Sequence, residues 1–167
     1  IGDLFADAAA LDPQRIAVVD PPNRRQLDGQ EPKRLSWQSL SALVDATIVA
    51  LHDAGIRRDD VLVTQLPNIC EYVAVYLACA RLGVIVSPVA MQFRRAELQP
   101  ICQLTRARAI LTVERFKDTQ PANVAATLAD GPTVLVLGRD APNGAHPLVI
   151  EPSPDHAARA AQLEREA

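Results

Sequence analysis

The sequence predicts an α/β fold in which a mostly parallel sheet is covered by helices on both faces. Short β-branched runs alternate with segments of helical periodicity along the chain. The strand-like runs are apolar at nearly every position, as is typical of strands buried on both faces of a parallel sheet. Because this alternation uses short turns, we expect strand–helix–strand crossovers between parallel strands.

The first elements are a short strand, a polar loop and an amphipathic helix. Ile16–Val19 is β-branched and precedes two prolines, and Asn23–Lys33 is typical of a loop or hairpin tip. Ser36 can cap the next helix, and Gly55 follows it where a left-handed backbone is needed. The helix face is predicted from a spacing of i, i+3, i+4, i+7, i+8 and i+11, shared by Leu40, Leu43, Val44, Thr47, Ile48 and Leu51.

The centre of the chain predicts a second strand and a buried helix. Val61–Leu66 reads as a strand that Pro67 stops. Asn68 with Glu71 three residues later resembles a capping box and predicts the helix start. Tyr72–Ala80 is apolar nearly all round, so this helix is expected to lie buried between layers.

A strand and a proline-containing helix follow. Gly83 is predicted to end the preceding helix, and Val84–Val86 begins a strand that Pro88 closes. Ala96–Thr105 has a helical apolar face, but Pro100 conflicts with a long helix. We therefore expect this helix to be short, to begin late or to kink.

The last third predicts two more strands and two more helices. Ala109–Val113 and Thr133–Leu137 are strands, with a helix over Pro121–Leu128 between them. Arg139–Pro147 is predicted as loop, and Asp155–Glu166 as a helix-compatible, alanine-rich tail. We treat the chain as one domain, 1–167, made of four segments: a strand and loop (15–34), a core βαβ region (35–113), a further strand–helix–strand (114–150) and a tail (151–167).

The charged residues of the sequence argue against some classes of function. A net charge of −3 argues against nucleic-acid binding, which needs clustered cations. Three arginine doublets are interpreted as solvated loop charges rather than a nucleic-acid site: Arg24-Arg25, Arg57-Arg58 and Arg94-Arg95. The acidic pair Asp59-Asp60 is interpreted as solvated rather than as a metal site.

The cysteines and the apolar stretches bear on location. Cys70, Cys79 and Cys102 show no CxxC spacing, so buried free thiols in a reducing compartment are expected. No signal segment begins the sequence, and the longest uncharged stretch is too short to span a bilayer. We expect a cytoplasmic protein without a membrane span.

The residues offer no catalytic constellation. The turns after the two central strands lack glycine, and neither GxGxxG, a P-loop nor GxSxG occurs. His52, His146 and His156 fall in different elements and are interpreted as ordinary surface histidines. Ser87 could face a cleft, but no base lies near it in sequence. We therefore predict no catalytic, cofactor-binding or metal-binding residue in this chain.

Several passages resemble one superfamily. Leu35–Leu40 (LSWQSL) resembles the first core motif of the adenylate-forming enzymes, and Ala80–Val89 (ARLGVIVSPV) the second. The segment between these two motifs, from Gly55 through Leu66-Pro67-Asn68, also resembles the superfamily. There the superfamily has a glycine, a basic residue and an aspartate, followed by a strand and then Pro-Asn. The similarity runs from about Leu4 to Val113 and thins toward Ile150.

This resemblance implies the N-terminal subdomain of an acyl-CoA synthetase-like fold, in the acid–CoA ligase branch. The whole enzyme would use ATP, Mg²⁺ and CoA to convert an aliphatic, cyclic or aromatic carboxylic acid to acyl-AMP and then to a thioester. The family's phosphate loop ends in Pro-Lys-Gly. Thr127–Val134 is the nearest candidate and lacks the lysine. We therefore expect an N-terminal fragment that is inactive alone and binds none of these cofactors.

Two alternatives stay open. The chain could be a stand-alone α/β module for interaction or oligomerisation, or an unrelated small-ligand-binding domain. Homo-oligomers are expected through surfaces that a truncation would expose. A peptide-synthetase adenylation domain and a fatty-acyl–AMP ligase also match the same motifs.

Overall fold

The computed structural model describes residues 2–128 and 131–167, which form a five-stranded and a two-stranded sheet with surrounding helices. The helices in chain order are α1 (Gly2–Leu11), α2 (Arg24–Asp28), α3 (Trp37–Asp53), α4 (Cys70–Leu82), α5 (Arg95–Thr105), α6 (Pro121–Ala125) and α7 (His156–Glu166). The strands are β1 (Ile16–Val19), β2 (Arg34–Ser36), β3 (Val61–Gln65), β4 (Ile85–Pro88), β5 (Ala109–Val113), β6 (Thr133–Leu137) and β7 (His146–Leu148).

The larger sheet is parallel throughout, in the order β4-β3-β5-β6-β7. Leu62 of β3 lies opposite Val86 of β4 on one side and Ala109 of β5 on the other. The chain passes from β3 to one neighbour and then crosses to the other, so the strand order reverses at β3. A ligand-binding crevice is therefore expected at the carboxyl ends of β3 and its neighbours.

Helices cover both faces of this sheet, as predicted. Alternate strand residues such as Leu62 and Leu111 face a core formed with α3, α4 and α7. Their strand neighbours Val63 and Ile110 face a second core formed with α5 and α6. The two cores explain the fully apolar strands, since side chains on both faces are buried.

The helix α3 confirms the sequence analysis. The Ser36 hydroxyl accepts a hydrogen bond from the backbone N–H of Ser39 at 3.2 Å, which caps the helix. All six predicted face residues are buried.

Gly55 has φ of +83° and Gly83, at the end of α4, has φ of +71°, so both occupy the left-handed region predicted for them. The predicted strands β1, β3, β4, β5 and β6 are confirmed to within a residue at each end.

The predicted cap of α4 is wrong. The helix begins at Cys70 with Ile69 in the N-cap position, and no side chain next to it in sequence caps it. The carboxylate of Asp20 instead accepts a hydrogen bond from the Cys70 backbone N–H at 2.7 Å. This acceptor comes from 50 residues earlier, so no local pattern near Asn68 could indicate it.

The prediction that α4 is buried all round is also wrong. Val73 and Tyr76 are 38% and 42% exposed, and Ala80 is exposed on the same side. These residues fall at i, i+3 and i+7, which is one face of a helix. The opposite face, including Ala74 and Ala78, packs on the sheet. The described part of the chain therefore leaves one apolar face of α4 open.

The helix α5 resolves the conflict at Pro100. It runs from Arg95 to Thr105 with the proline inside, so it is neither short nor late. The backbone N–H of Arg94 donates to the Glu97 carboxylate at 2.8 Å, which is one half of a capping box, and the Glu97 backbone N–H donates to the Arg94 carbonyl at 3.1 Å. The Thr105 hydroxyl donates to the carbonyl of Ile101 at 2.8 Å in the last turn.

Three smaller differences concern segments with weak periodicity. The polar stretch Asn23–Lys33 contains the short helix α2, and the predicted loop Arg139–Pro147 overlaps β7, which begins at His146. The helix α6 ends at Ala125, three residues before the predicted Leu128. Elements this short gain their order from tertiary contacts, because isolated turns and three-residue strands are unstable by themselves.

Candidate functional site

The carboxyl ends of β3 and β4 open into a cleft of about 840 Å³, called here the β3–β4 cleft. One wall follows β3 and the other follows β4. The first wall contains Leu66, Pro67, Asn68 and Tyr72, and the second contains Val89, Ala90, Met91, Gln92 and Arg94. This is the edge of a parallel sheet at which α/β folds bind ligands.

The lining of the β3–β4 cleft combines apolar surface with two cations. Arg94 and Lys117 both line it, and neither forms an ion pair within 4 Å in the described part of the chain. Arg94 donates to the carbonyls of Met91 and Phe93 at 3.1 and 3.0 Å, and Lys117 lies 5.5 Å from the centroid of the Phe116 ring. Such a lining suits a ligand with an apolar body and negative charge.

Tyr72 provides a neutral hydrogen-bonding group at this cleft. Its hydroxyl lies 3.0 Å from the Thr64 hydroxyl. Burial raises the pKa of Tyr72 to about 12, so the phenol stays protonated near neutral pH. Tyr72 can therefore position a ligand, but it is not suited to act as a base.

A buried charge network that the sequence analysis missed lies at a different cleft, whose lining includes Arg24, Lys33 and Glu71. Arg24 is 2% exposed and pairs with Asp20, with Asp28 at 3.2 Å and with Glu71 at 2.8 Å. Lys33 pairs with the same Glu71, and its backbone N–H donates to Asp20 at 2.7 Å. The interpretation of Arg24 as a solvated loop charge is therefore wrong. The network joins the segment that includes α2 to the start of α4.

The charges of this network are held by their partners. Burial alone would raise the pKa of Asp20 and of Glu71, but hydrogen bonds to Arg24 and to the Lys33 region outweigh it and lower both. The pKa of Arg24 is raised, because bonds to Glu71 and Asp20 outweigh its burial. These shifts favour the ionised forms of Asp20, Glu71 and Arg24, and each of the three is paired, which is the condition under which buried charges are tolerated.

A second, more polar cleft of about 430 Å³ lies at the carboxyl ends of β5, β6 and β7. Its lining carries charges of both signs, among them Arg115, Glu114 and the paired Arg139 and Glu151. Because these opposite charges lie together, the second cleft offers a charged ligand less than the β3–β4 cleft does.

The thiols confirm their predicted state. Cys70, Cys79 and Cys102 are free and buried. Burial, aided at Cys70 by the Asp20 carboxylate, raises the pKa of Cys70 and of Cys79 to about 12, and burial also raises that of Cys102. Thiols with such pKa values remain protonated and are not nucleophiles.

The structure does not bring the three histidines and the acidic pair of the sequence analysis together in one site. His52 lies in α3, His146 in β7 and His156 at the start of α7. Of the acidic pair, Asp59 is exposed, while Asp60 accepts from the Arg57 backbone N–H at 2.7 Å. The described residues include no group of three or more His, Cys, Asp or Glu side chains placed to hold a metal ion. The nearest phosphate-loop candidate, 127–134, contains positions 129 and 130, which lie outside the described residues.

Comparison with known proteins decides the family. A model of the family described as "AMP-binding enzyme" matches residues 5–166. The chain belongs to this family. The resemblance to adenylate-forming enzymes and the predicted fold class are both confirmed.

Relatives of this AMP-binding chain are much longer. It is 34% identical over its full length to a 2-hydroxy-7-methoxy-5-methyl-1-naphthoate–CoA ligase of Streptomyces carzinostaticus, covering 30% of that protein. It is 26% identical over 74% of its length to a medium-chain fatty-acid–CoA ligase of Escherichia coli, covering 20% of it. Acetoacetyl-CoA synthetase from Streptomyces lividans has a similar fold, with a TM-score of 0.71 and 22% identity over 91% of this chain and 25% of that one. The chain thus spans less than a third of the length of each of these three proteins.

Some features of the AMP-binding chain escaped sequence reasoning. Asp20, Arg24 and Glu71 are brought together only by the tertiary structure. Asp20 and Arg24 lie in or next to a polar loop in the sequence, and nothing in that loop indicates that their side chains are buried. Gln65 and Thr112 gave a usable signal, because each is a polar residue near the carboxyl end of a mostly apolar strand. The structure describes no helix with both the length and the apolar character needed to cross a membrane.

Proposed function

We propose that this chain is the N-terminal part of an ATP-dependent acid–CoA ligase. The whole protein would join a carboxylate to ATP, giving acyl-AMP and pyrophosphate, and would then transfer the acyl group to the CoA thiol with release of AMP. The observation that carries this proposal is the family match over residues 5–166, together with CoA ligases among the relatives. An aromatic acid is the first substrate class to test, because the 34% identical relative is named as a naphthoate–CoA ligase.

ATP, Mg²⁺ and CoA are the cofactors of the proposed reaction. The described residues group no set of metal ligands, so we assign this segment no part in holding Mg²⁺. The sequence also has no Thr/Ser/Gly-rich loop ending in Pro-Lys-Gly. We infer that residues 1–167 alone form no acyl-AMP and that they serve to build one side of the active-site region.

The cellular setting and a second role are also proposals. Three buried free thiols and no disulfide among the described residues support a reducing, cytoplasmic location. We further propose that the chain alone forms homo-oligomers. Exposed apolar residues on α4 and on the edge strand β4 favour this second role.

The test uses the complete gene product. Pyrophosphate release should require ATP, Mg²⁺ and an acid from a panel of aromatic and medium-chain fatty acids, and a thioester should appear only when CoA is added. Residues 1–167, purified free of host ligases, should release none. Absence of acid-dependent pyrophosphate release from the complete protein with every acid would contradict the proposed reaction. Release by residues 1–167 alone would contradict their assigned supporting role.

A further inference from the structure

Two fully buried polar side chains lie next to each other at the carboxyl ends of β3 and β5. Gln65 and Thr112 are register partners, and both are 0% exposed. The residues two positions earlier, Val63 and Ile110, belong to the core under α5 and α6, so Gln65 and Thr112 face the same side of the sheet. The side-chain carbonyl of Gln65 and the hydroxyl of Thr112 have no hydrogen-bond partner among the described atoms.

The amide group of Gln65 is anchored to the backbone. Its Nε2 donates to the carbonyl of Ala90 at 3.0 Å and to the carbonyl of Phe93 at 3.0 Å. Both partners are acceptors, so the orientation of the amide is fixed by chemistry. The Phe93 backbone N–H also donates to the Ala90 carbonyl at 3.1 Å, which closes a turn. A single buried side chain therefore holds both ends of this turn.

The turn that Gln65 holds is one wall of the β3–β4 cleft. Residues 89–92 and Arg94 line the cleft, whereas Gln65 does not reach it. The Val89 backbone N–H donates to the Thr64 carbonyl at 2.9 Å, which attaches the start of the wall to β3. Arg94 bonds to carbonyls within the turn itself, so its bonds shape the turn without attaching it to β3. Gln65 thus supplies the attachment of the far part of the wall.

We propose that Gln65 is a positioning residue that fixes the 89–94 wall and thereby sets the shape that a substrate meets in the β3–β4 cleft. The assignment of a substrate to this cleft rests on the proposed ligase function. The attachment of the wall to β3 by Gln65 stands independently of that function. Buried hydrogen bonds to main-chain carbonyls are a common way to hold a binding loop in one geometry.

The principal test replaces Gln65 with Glu in the complete protein. This change keeps the size but places a carboxylate oxygen against two carbonyl oxygens and removes both donors. Amide hydrogen exchange in 90–95, measured without substrate at pH 8, should become at least about tenfold faster. Because a buried carboxyl group titrates above its usual range, the protonated Glu can donate at pH 5.5 and the effect should shrink there. If Gln65→Glu only destabilised the fold in general, the increase in exchange in 90–95 would not shrink at the lower pH.

Two further variants keep the test decisive. Gln65→Met removes both donors without adding charge, and it should give the same faster exchange if Gln65→Glu does not fold. Thr112→Val is the matched control, since it alters the register partner at equal depth but removes no bond to the turn. It should leave exchange in 90–95 unchanged. Unchanged exchange in both Gln65 variants, or an equal increase in Thr112→Val, would overturn the proposal.

Steady-state kinetics of the complete protein test whether the 89–94 wall takes part in substrate binding. In the Gln65 variants, KM for at least one of ATP, acid or CoA should rise about tenfold, with kcat changed less than about threefold. Faster exchange with unchanged KM values would contradict the substrate assignment of the cleft and leave the attachment intact. Faster exchange in a protein that shows no ligase activity would count against the proposed function alone.

Discussion

At the residue scale, Arg24 shows how strongly environment alters the contribution of one side chain. It is buried among three carboxylates, whereas its neighbour Arg25 is 77% exposed and forms an ion pair with Glu31, which is itself exposed. The two arginines are indistinguishable in sequence character. Only the first is held in a geometry in which losing its charge would leave buried carboxylates unpaired.

Replacing Arg24 by Met should therefore destabilise the protein by about 3–5 kcal/mol, because uncompensated charges would remain buried. Replacing Arg25 by Met should change stability by less than about 1 kcal/mol, as is typical of an exposed ion pair. Equilibrium urea denaturation of the two variants measures the difference. Equal effects would mean that the network carries no more stability than a surface pair.

The same network predicts the response to acid. The pKa values of Asp20 and Glu71 in the folded protein are lowered from ordinary values of 3.8 and 4.5. A carboxyl group with a lowered folded pKa stabilises the fold above its unfolded pKa and loses that contribution as pH falls through the folded value. The melting temperature should thus hold above about pH 5 and decline below it. In Arg24→Met this acid-sensitive contribution to stability should become smaller, because Arg24 is the partner that lowers both pKa values most. An identical pH profile would contradict the network as its source.

At the element scale, the helix α4 depends on a residue that lies far from it in sequence. The Asp20 carboxylate caps Cys70 and also pairs with Arg24, whereas Asn68 is exposed and makes no capping bond. A helix terminus carries unpaired N–H groups, and a carboxylate there adds a favourable interaction with the helix dipole. The start of α4 is thus fixed by the fold rather than by its own first turn.

Asp20→Ala should cost about 3 kcal/mol or more, since it removes the cap and breaks a buried ion pair. Asn68→Ala should cost less than about 0.5 kcal/mol, as expected of an exposed residue without a capping bond. Hydrogen exchange of the first turn of α4, together with urea denaturation, distinguishes the two. Greater destabilisation by Asn68→Ala would restore the local capping box that the sequence suggested.

At the scale of the whole molecule, the sheet ends at β4 in the described part of the chain, and that edge is apolar. Ile85 is 52% exposed on this edge strand, and Val73 and Tyr76 are exposed on α4. Free strand edges and apolar faces favour association. In the longer ligase proposed above, the same surfaces would be available to other parts of the polypeptide.

Residues 1–167 alone should therefore form dimers or larger species at high concentration, measured by light scattering. Ile85→Lys should shift them toward monomer, because a charged side chain on an edge strand opposes pairing. Leu104→Lys is the control: Leu104 is 87% exposed but lies on α5, away from a strand edge, and its replacement should have no effect. A clean monomer for the unaltered polypeptide would contradict association.

The sequence by itself determined the parallel sheet, four of its five strands (β3 to β6) and the positions of most of the longer helices. It could do so because apolar runs, the Ser36 cap and the turns at Gly55 and Gly83 are local signals. Its motifs also indicated the family, because their order and spacing are a property of the chain. Tertiary structure alone decided which polar residues are buried and what they contact. Asp20 meets Cys70 across 50 residues, and Gln65 meets Phe93 across 28. Such pairings depend on how strands and helices pack, and no periodicity in the sequence records them.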